Sequence, residues 1–242
     1  MIKNIIHKFQ IYFGRITIER FNRCSRDKWN IAQEWEYEQW ESQSRDNDDW
    51  NLWWKTKFFN YSFIKNSSFN HLLEVGCGPY AKNTKYILET VKCRKVSVLD
   101  PLLDDYIKLN KSVIDLKMSH NAETISKPLE QLPKIHDVDL LVCINVLDHV
   151  YDLNLCLDSI LNTIKEDGLI ILGQELTTNE DLKRCTELID DIGHPIKVNH
   201  DAVEPFLKHF EPIIYRLLDR EEGRNPNAHS STLLFCGRKI NQ

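Results

Sequence analysis

The segment with the clearest chemical content runs from His71 to Ile87, HLLEVGCGPYAKNTKYI, where an apolar run breaks into two closely spaced glycines before polar, helix-compatible sequence. It predicts a buried strand, a tight glycine turn and a helix starting near Pro79, with backbone N–H groups converging at the turn. Gly76 and Gly78 let the backbone turn sharply and approach a nucleotide-like ligand, and Glu74 puts a carboxylate beside it. A second acid, Asp100, closes the run KVSVLD. It lies about twenty residues past the loop, where a carboxylate can accept both hydrogen bonds of a ribose diol. Gly76, Gly78 and Ala81 also satisfy the G-x-G-x-x-G/A spacing of dinucleotide sites, so the loop and Asp100 leave two ligand classes open. Charge separates them. A pyrophosphate gains nothing from an adjacent Glu74, whereas S-adenosylmethionine has no phosphate and carries an ammonium and a sulfonium.

A second group of residues could move a proton. His149 follows Asp148 just after the run DLLVCIN, and His194 sits in the turn Gly193-His194-Pro195. A neutral imidazole near pH 7 can take the proton of a hydroxyl acceptor, an effect worth about 10²- to 10⁴-fold. The plainer alternatives are a helix-start residue bonded to local backbone for His149 and a polar turn residue for His194. His200 and His229 are weaker candidates. In the loop DREEGRNPNAHSS (219–231), Arg220 or Arg224 could hold a phosphate or carboxylate, although a solvated hairpin loop fits the composition better. No His/Asp/Glu group shows metal-ligand spacing along the chain, and no metal is expected.

These residues need a scaffold. From Phe69 onward the apolar runs HLLEV, KVSVLD, DLLVCIN and GLIILGQ alternate with helix-compatible segments, the pattern of a parallel sheet with crossover helices. Beyond Glu175 the sequence predicts a helix over 179–192, the GHP turn, a short helix near 201–210 and two late strands, PIIYRLL and TLLFCGR. The expected fold class is α/β, Rossmann-like and doubly wound, in one domain over residues 67–242 behind a helical extension over residues 1–66. Ile2, Ile5, Ile6, Phe9, Tyr12, Phe13 and Ile16 recur at helical spacing and predict an amphipathic helix over residues 2–16. Residues 29–63 hold all six tryptophans among many acids. They predict further helices that glue the extension to the sheet, with some rings walling a substrate pocket.

With 242 residues, 42% of them hydrophobic, the chain can bury a full-sized core. A net charge of -5 argues against an electrostatic nucleic-acid binder. Seven scattered cysteines with no CxxC pair fit a reduced, cytoplasmic protein. No apolar run approaches the ~20 residues needed to span a bilayer, and no secretory leader pattern is present at the N-terminus. From Met1 to Lys28 there are seven Lys/Arg against two Asp/Glu. This basic stretch suits peripheral contact with an anionic inner membrane face, while packing on the domain or on a second copy of the chain is the commoner use of such a helix.

In order, EVGCGP, LDP, LEQLP and CINVLDHV resemble the successive motifs of class I S-adenosylmethionine-dependent methyltransferases, from about Phe69 to Glu175 and more loosely to the C-terminus. The resemblance implies a mostly parallel seven-stranded sheet with an antiparallel C-terminal strand. It implies that Glu74, Gly76, Cys77 and Gly78 line the methionine end of the cofactor and that Asp100, Pro101 and Leu102 line the ribose. Leu129 and Glu130 would meet the adenine edge, and Asn145, Val146 and Leu147 would pass under the sulfonium. Lys127-Pro128-Leu129 departs from the acid and small residue more usual before Glu-x-Leu-Pro, which touches the adenine contact. The implied activity is methyl transfer, to oxygen ahead of nitrogen, on a small-molecule or glycan acceptor of the kind met in glycan or natural-product biosynthesis. Two rivals remain. An NAD(P)-dependent oxidoreductase is suggested by the glycine spacing and by Tyr61-x-x-x-Lys65, but that pair precedes the loop instead of following it. A non-catalytic binding module on the same fold is opposed by intact Glu74, Gly76, Gly78 and Asp100.

Overall fold

The computed structural model describes residues 18–42, 50–109, 117 and 119–241. The helix expected over residues 2–16, with its membrane or dimer contact, lies outside the described residues. The strands are β1 (Ser68–Val75), β2 (Lys92–Leu99), β3 (Glu123–Ile125), β4 (Val138–Ile144), β5 (Ile164–Leu176), β6 (Phe210–Asp219) and β7 (Ser231–Lys239). They form one sheet in the order β3-β2-β1-β4-β5-β7-β6. The first five are mutually parallel, and β7 runs antiparallel to both β5 and β6. The Rossmann-like, doubly wound α/β fold is therefore as expected. β4 is buried along its whole length, VDLLVCI, because both faces of a parallel sheet are covered. β6 instead exposes Ile213, Tyr215 and Leu217 on alternate positions, as an edge strand covered on one face does. Only β3 has no counterpart in the sequence reading. At three residues it is too short to show a period.

The helices are α1 (Arg26–Glu41), α2 (Trp50–Lys57), α3 (Lys82–Leu88), α4 (Leu103–Lys108), α5 (Leu153–Thr163), α6 (Asn179–Arg184) and α7 (His200–Leu207). Ser25, Asp152 and Asn199 cap α1, α5 and α7 with side-chain oxygens that accept early backbone N–H groups. Two expected boundaries move. The helix after the glycine turn starts at Lys82, not Pro79, because Ala81 adopts a left-handed conformation at φ 44° that no helix can contain. The helix expected over 179–192 stops at Arg184, where Cys185 is extended, and a 3₁₀ turn covers Thr186–Ile189. Cys185 and Thr186 are weak helix formers, so nothing local carries the helix across.

The extension shares the core of the sheet. Trp54, Phe58, Tyr61 and Ile64 pack with Leu72, Val98, Leu140, Val142 and Ile171 on one face, while α5 and α7 cover the other. Two glycines make room for rings: a Cβ on Gly173 would lie 2.8 Å from Trp54, and one on Gly193 would lie 2.4 Å from Trp35. The segment before α1, a 3₁₀ turn over Ile18–Phe21 and the residues after it, is laced to the domain by backbone bonds from Cys24 N–H to Tyr151 O, Leu153 N–H to Asn22 O and Lys197 N–H to Phe21 O. Among the described residues no helix is long and apolar enough to cross a membrane.

Because Trp54 is a fully enclosed core ring, Trp54→Ala is expected to lower unfolding free energy by about 3–5 kcal/mol. Denaturant titration followed by circular dichroism checks this, and a loss below about 1 kcal/mol would show that the extension is not integral to the fold.

Candidate active site

The chain order reverses between β1 and β4, the switch point at which open α/β sheets bind ligands beyond the carboxyl ends of their strands. A cavity of about 360 Å³ opens there, floored by the turns after β1, β2 and β4 and walled by α1 and α2. Gly76 (φ +65°) lies so close to the turn after β4 that a Cβ would stand 2.3 Å from the Val146 side chain, whereas Gly78 (φ +58°) faces open space. The first glycine is therefore required by contact and by conformation, the second by conformation alone.

Asp100 holds the loop and the ligand position together. Gly78 N–H donates to its Oδ2 at 3.0 Å and Leu102 N–H to its Oδ1 at 3.0 Å, leaving each oxygen a further lone pair. Burial pushes its carboxyl up to about 6 despite those two bonds. Pro101 and Leu102 line the cavity beside it, as do Gly76, Cys77 and Gly78. Leu129 and Glu130 form the next wall. Glu130 Oε1 accepts from the backbone N–H groups of Tyr151 (2.6 Å) and Asp152 (3.0 Å), tying this wall to the start of α5. Asn145, in a left-handed conformation at φ 56°, lines the cavity with Val146. Glu130 Oε2 and Asn145 Oδ1 are buried without a hydrogen-bond partner among the described residues, as polar atoms that meet a ligand would be.

Two expected lining residues sit elsewhere. Leu147 is wholly buried and donates its N–H to Gln174 Oε1, so it supports the turn from behind. Glu74 lies beneath the glycine loop. Its Oε2 accepts from Thr84 N–H (3.0 Å) and Thr84 Oγ1 (2.6 Å), and its Oε1 from Asn83 Nδ2 (3.1 Å). Those bonds anchor the start of α3 and fix the loop, and burial pushes the Glu74 carboxyl up to about 7.

The far end of the cavity is rich in histidine. His149 and His194 lie with ring centroids 4.6 Å apart. The His149 carbonyl accepts from Trp29 Nε1 (2.9 Å), so α1 clamps this turn. His194 Nδ1 pairs with Asp191 Oδ2 at 2.8 Å. Burial works against the charged form of His194, but the Asp191 bond and the Asp148 charge outweigh it and raise its pKa. Glu175, at the end of β5, and His229 complete the wall. Burial, reinforced by the Asp148 charge, brings the Glu175 carboxyl up to about 7, and burial brings His229 down to about 4. Asp148 sits behind, its Oδ1 3.9 Å from His149 Nε2. Glu175 and Asp191 were not singled out as site residues in the sequence, whereas some tryptophan rings were expected to wall a pocket, as Trp29, Trp40 and Trp50 do. The place of Glu175 at the carboxyl end of a predicted strand was the available signal.

Other candidates have other roles. Arg220 is spent on Asp181 and on Pro226 O, so it holds the 219–231 loop and not an anion. Arg224 stacks on Trp50 with its guanidinium 3.4 Å from the ring centroid. His200 bonds to the Tyr215 hydroxyl away from the cavity. Tyr61 is buried in the core with its hydroxyl on Asn83 Oδ1, unlike a catalytic tyrosine of a dehydrogenase. Asp148, His149 and His194 come together, with one ligand atom of each within 4.8 Å of the others, a grouping that their spacing along the chain does not show.

Residues 73–172 match the family described as methyltransferase domain. That match spans 100 of the 242 residues, and the sheet around it has the class I methyltransferase fold. Among solved structures, the methyltransferase fold of the N-methyltransferase NodS from Bradyrhizobium japonicum, in complex with S-adenosylhomocysteine, is similar at a TM-score of 0.60. It is 16% identical, with 84% of this chain and 98% of that one covered. The 1,6-didemethyltoxoflavin-N1-methyltransferase of Burkholderia thailandensis is similar at 0.57, with 14% identity over 90% and 92% of the two chains. No curated protein sequence matches this chain. Both of those structures hold S-adenosylhomocysteine.

Gly76→Ala is expected to abolish cofactor binding or folding, whereas Gly78→Ala should cost only about 1–2 kcal/mol of backbone strain. Thermal unfolding with and without cofactor separates the two, and equal effects would contradict the Val146 contact. The carboxyls of Glu74 and Asp100 are both raised, so the folded chain holds protons that the unfolded chain has released between about pH 4 and about pH 7. These two groups therefore oppose stability at neutral pH, and that penalty fades as the pH falls. Cofactor affinity should move the other way, weakening as Asp100 is protonated below about pH 6. Calorimetric titration across this range checks it, and a flat profile would remove Asp100 from the ribose contact.

Proposed function

We propose that this chain is an enzyme that transfers a methyl group from S-adenosylmethionine to an oxygen of a small polar acceptor, of the small-molecule or sugar type. The observation that carries this reading is one continuous cavity with Asp100 at one end and the His149–His194 pair at the other. When bound, the cofactor supplies an electrophilic methyl carbon on a sulfonium. The chain's task is then largely alignment, because holding two reactants in line can supply about 7–11 kcal/mol of the barrier. Asp100 takes the ribose diol, Leu129 and Glu130 the adenine edge, and Asn145 and Val146 the region beneath the sulfonium. Trp29, Trp40 and Trp50 wall the cavity and exclude water from it.

His149 and His194 lie against the acceptor and handle its proton. The Asp191 carboxylate holds Nδ1–H of His194, which leaves Nε2 as the ring atom with a free lone pair in the neutral form. The hydroxyl-rich character assigned to the acceptor rests on this density of donors and acceptors, with Glu175 and Asn225 adding two more. All seven cysteines are free, in keeping with a reducing compartment such as the cytoplasm. A second reading, methyl transfer to an amine, is favoured by the buried carboxylate of Glu175, which suits a cationic acceptor.

The test is calorimetric titration of the purified protein with S-adenosylmethionine, S-adenosylhomocysteine and NAD, followed by a methyl-transfer screen of sugar hydroxyls against amines. Binding of the first two, lost in Asp100→Ala, is expected, and NAD binding alone would overturn the reading. His149→Ala should lower turnover by about 10²-fold or more while leaving cofactor affinity intact.

A further inference from the structure

The acceptor end of the cavity carries more ligating chemistry than proton handling needs. Asp148 and His149 come from the turn after β4 and His194 from the turn before α7, and one ligand atom of each falls within 4.8 Å of the others. Two nitrogens or oxygens about 2.1 Å from a tetrahedral ion lie about 3.4 Å apart, so side-chain movements of roughly 1 Å close this set around a single ion.

Two further observations point to a cation. Asp148 is 3% exposed and Glu175 is 6% exposed, and one oxygen of each (Asp148 Oδ1, Glu175 Oε1) has no hydrogen-bond partner among the described residues. Bare carboxylate oxygens at such depth are costly unless paired with a donor or a metal. The His194 ring is also already oriented. Its Nδ1 is held by the Asp191 carboxylate at 2.8 Å, the support that metal-ligating histidines characteristically receive, and this directs Nε2 away from Asp191.

We infer that Asp148, His149 and His194 form a binding site for one divalent cation at the acceptor end of the cavity. Two imidazoles with carboxylate oxygens suit a borderline ion of the Zn²⁺, Co²⁺ or Mn²⁺ group better than Mg²⁺, which prefers oxygen alone. A cation here would occupy the histidine lone pairs and replace their proton handling, selecting an acceptor with neighbouring oxygens, such as a vicinal diol or a hydroxy acid, and acidifying it as a Lewis acid. That choice of acceptor rests on the methyl-transfer reading above, whereas the cation site does not.

The test uses tag-free full-length protein, dialysed against chelator and titrated with Co²⁺ and Zn²⁺ by calorimetry and visible absorption. One equivalent of Co²⁺ is expected, with ligand-field bands displaced by Zn²⁺. Affinity should fall about 10- to 100-fold in Asp191→Asn, which removes only the support of His194. It should fall further in His194→Ala and His149→Ala, with His194→Gln as the replacement where the alanine variant does not fold. S-adenosylmethionine titration of every variant reports whether the cavity is intact. Absence of stoichiometric binding, or equal affinity in wild type and variants, means an adventitious ion only and overturns the site. Cation binding without S-adenosylmethionine binding would instead overturn the proposed function and leave the site standing.

Discussion

The contact between Gly76 and Val146 sets the geometry of the cavity. The turn after β1 and the turn after β4 approach so closely that no side chain fits at Gly76, and both adjoin the switch point of the sheet. Because the two strands pair in fixed register, Val75 with Cys143, the turns cannot separate without breaking the sheet. The loop is pinned from below by Glu74 on Thr84 and from the side by Asp100 on Gly78. The cavity floor thus rests on rigid strand ends, with the loop backbone over-determined by three independent restraints.

The second constraint is burial of charge. Glu74, Asp100, Asp148 and Glu175 are all nearly inaccessible, in a region a hydrophobic core would otherwise fill. Desolvation raises the carboxyls of Glu74, Asp100 and Glu175, whereas the charges of its histidine neighbours and a bond from Gln174 hold Asp148 below the ordinary value. A protein tolerates such a concentration of acids where a cationic ligand offsets the cost. The proposed cofactor, with an ammonium and a sulfonium, would answer the glycine-loop end, and the proposed cation the other.

The aromatic extension joins these two features. Its rings take over one face of the sheet, entering space left by Gly173, and the same segment supplies Trp29, Trp40, Trp50 and Trp54 to the cavity wall. Stability and access to the site are coupled through one element. Arg224 stacked on Trp50 brings the β6–β7 loop into that wall as well.

The sequence by itself determined the α/β alternation, the glycine turn and Asp100, since buried strands, left-handed turns and strand-end acids leave local signatures of composition and spacing. It placed the six longer strands and missed only β3, whose three residues carry no period. Tertiary structure decided what each polar group faces. Glu74 reads as a cavity residue by its distance from the glycines, yet Asn83 and Thr84 claim its oxygens, and those bonds form only once α3 folds back over β1. Asp191 and Glu175 join His149 and His194 from three separate segments, and Arg220 is consumed by Asp181 from a distant helix. Such groupings depend on which chain ends meet in space, a property that spacing along the chain does not encode.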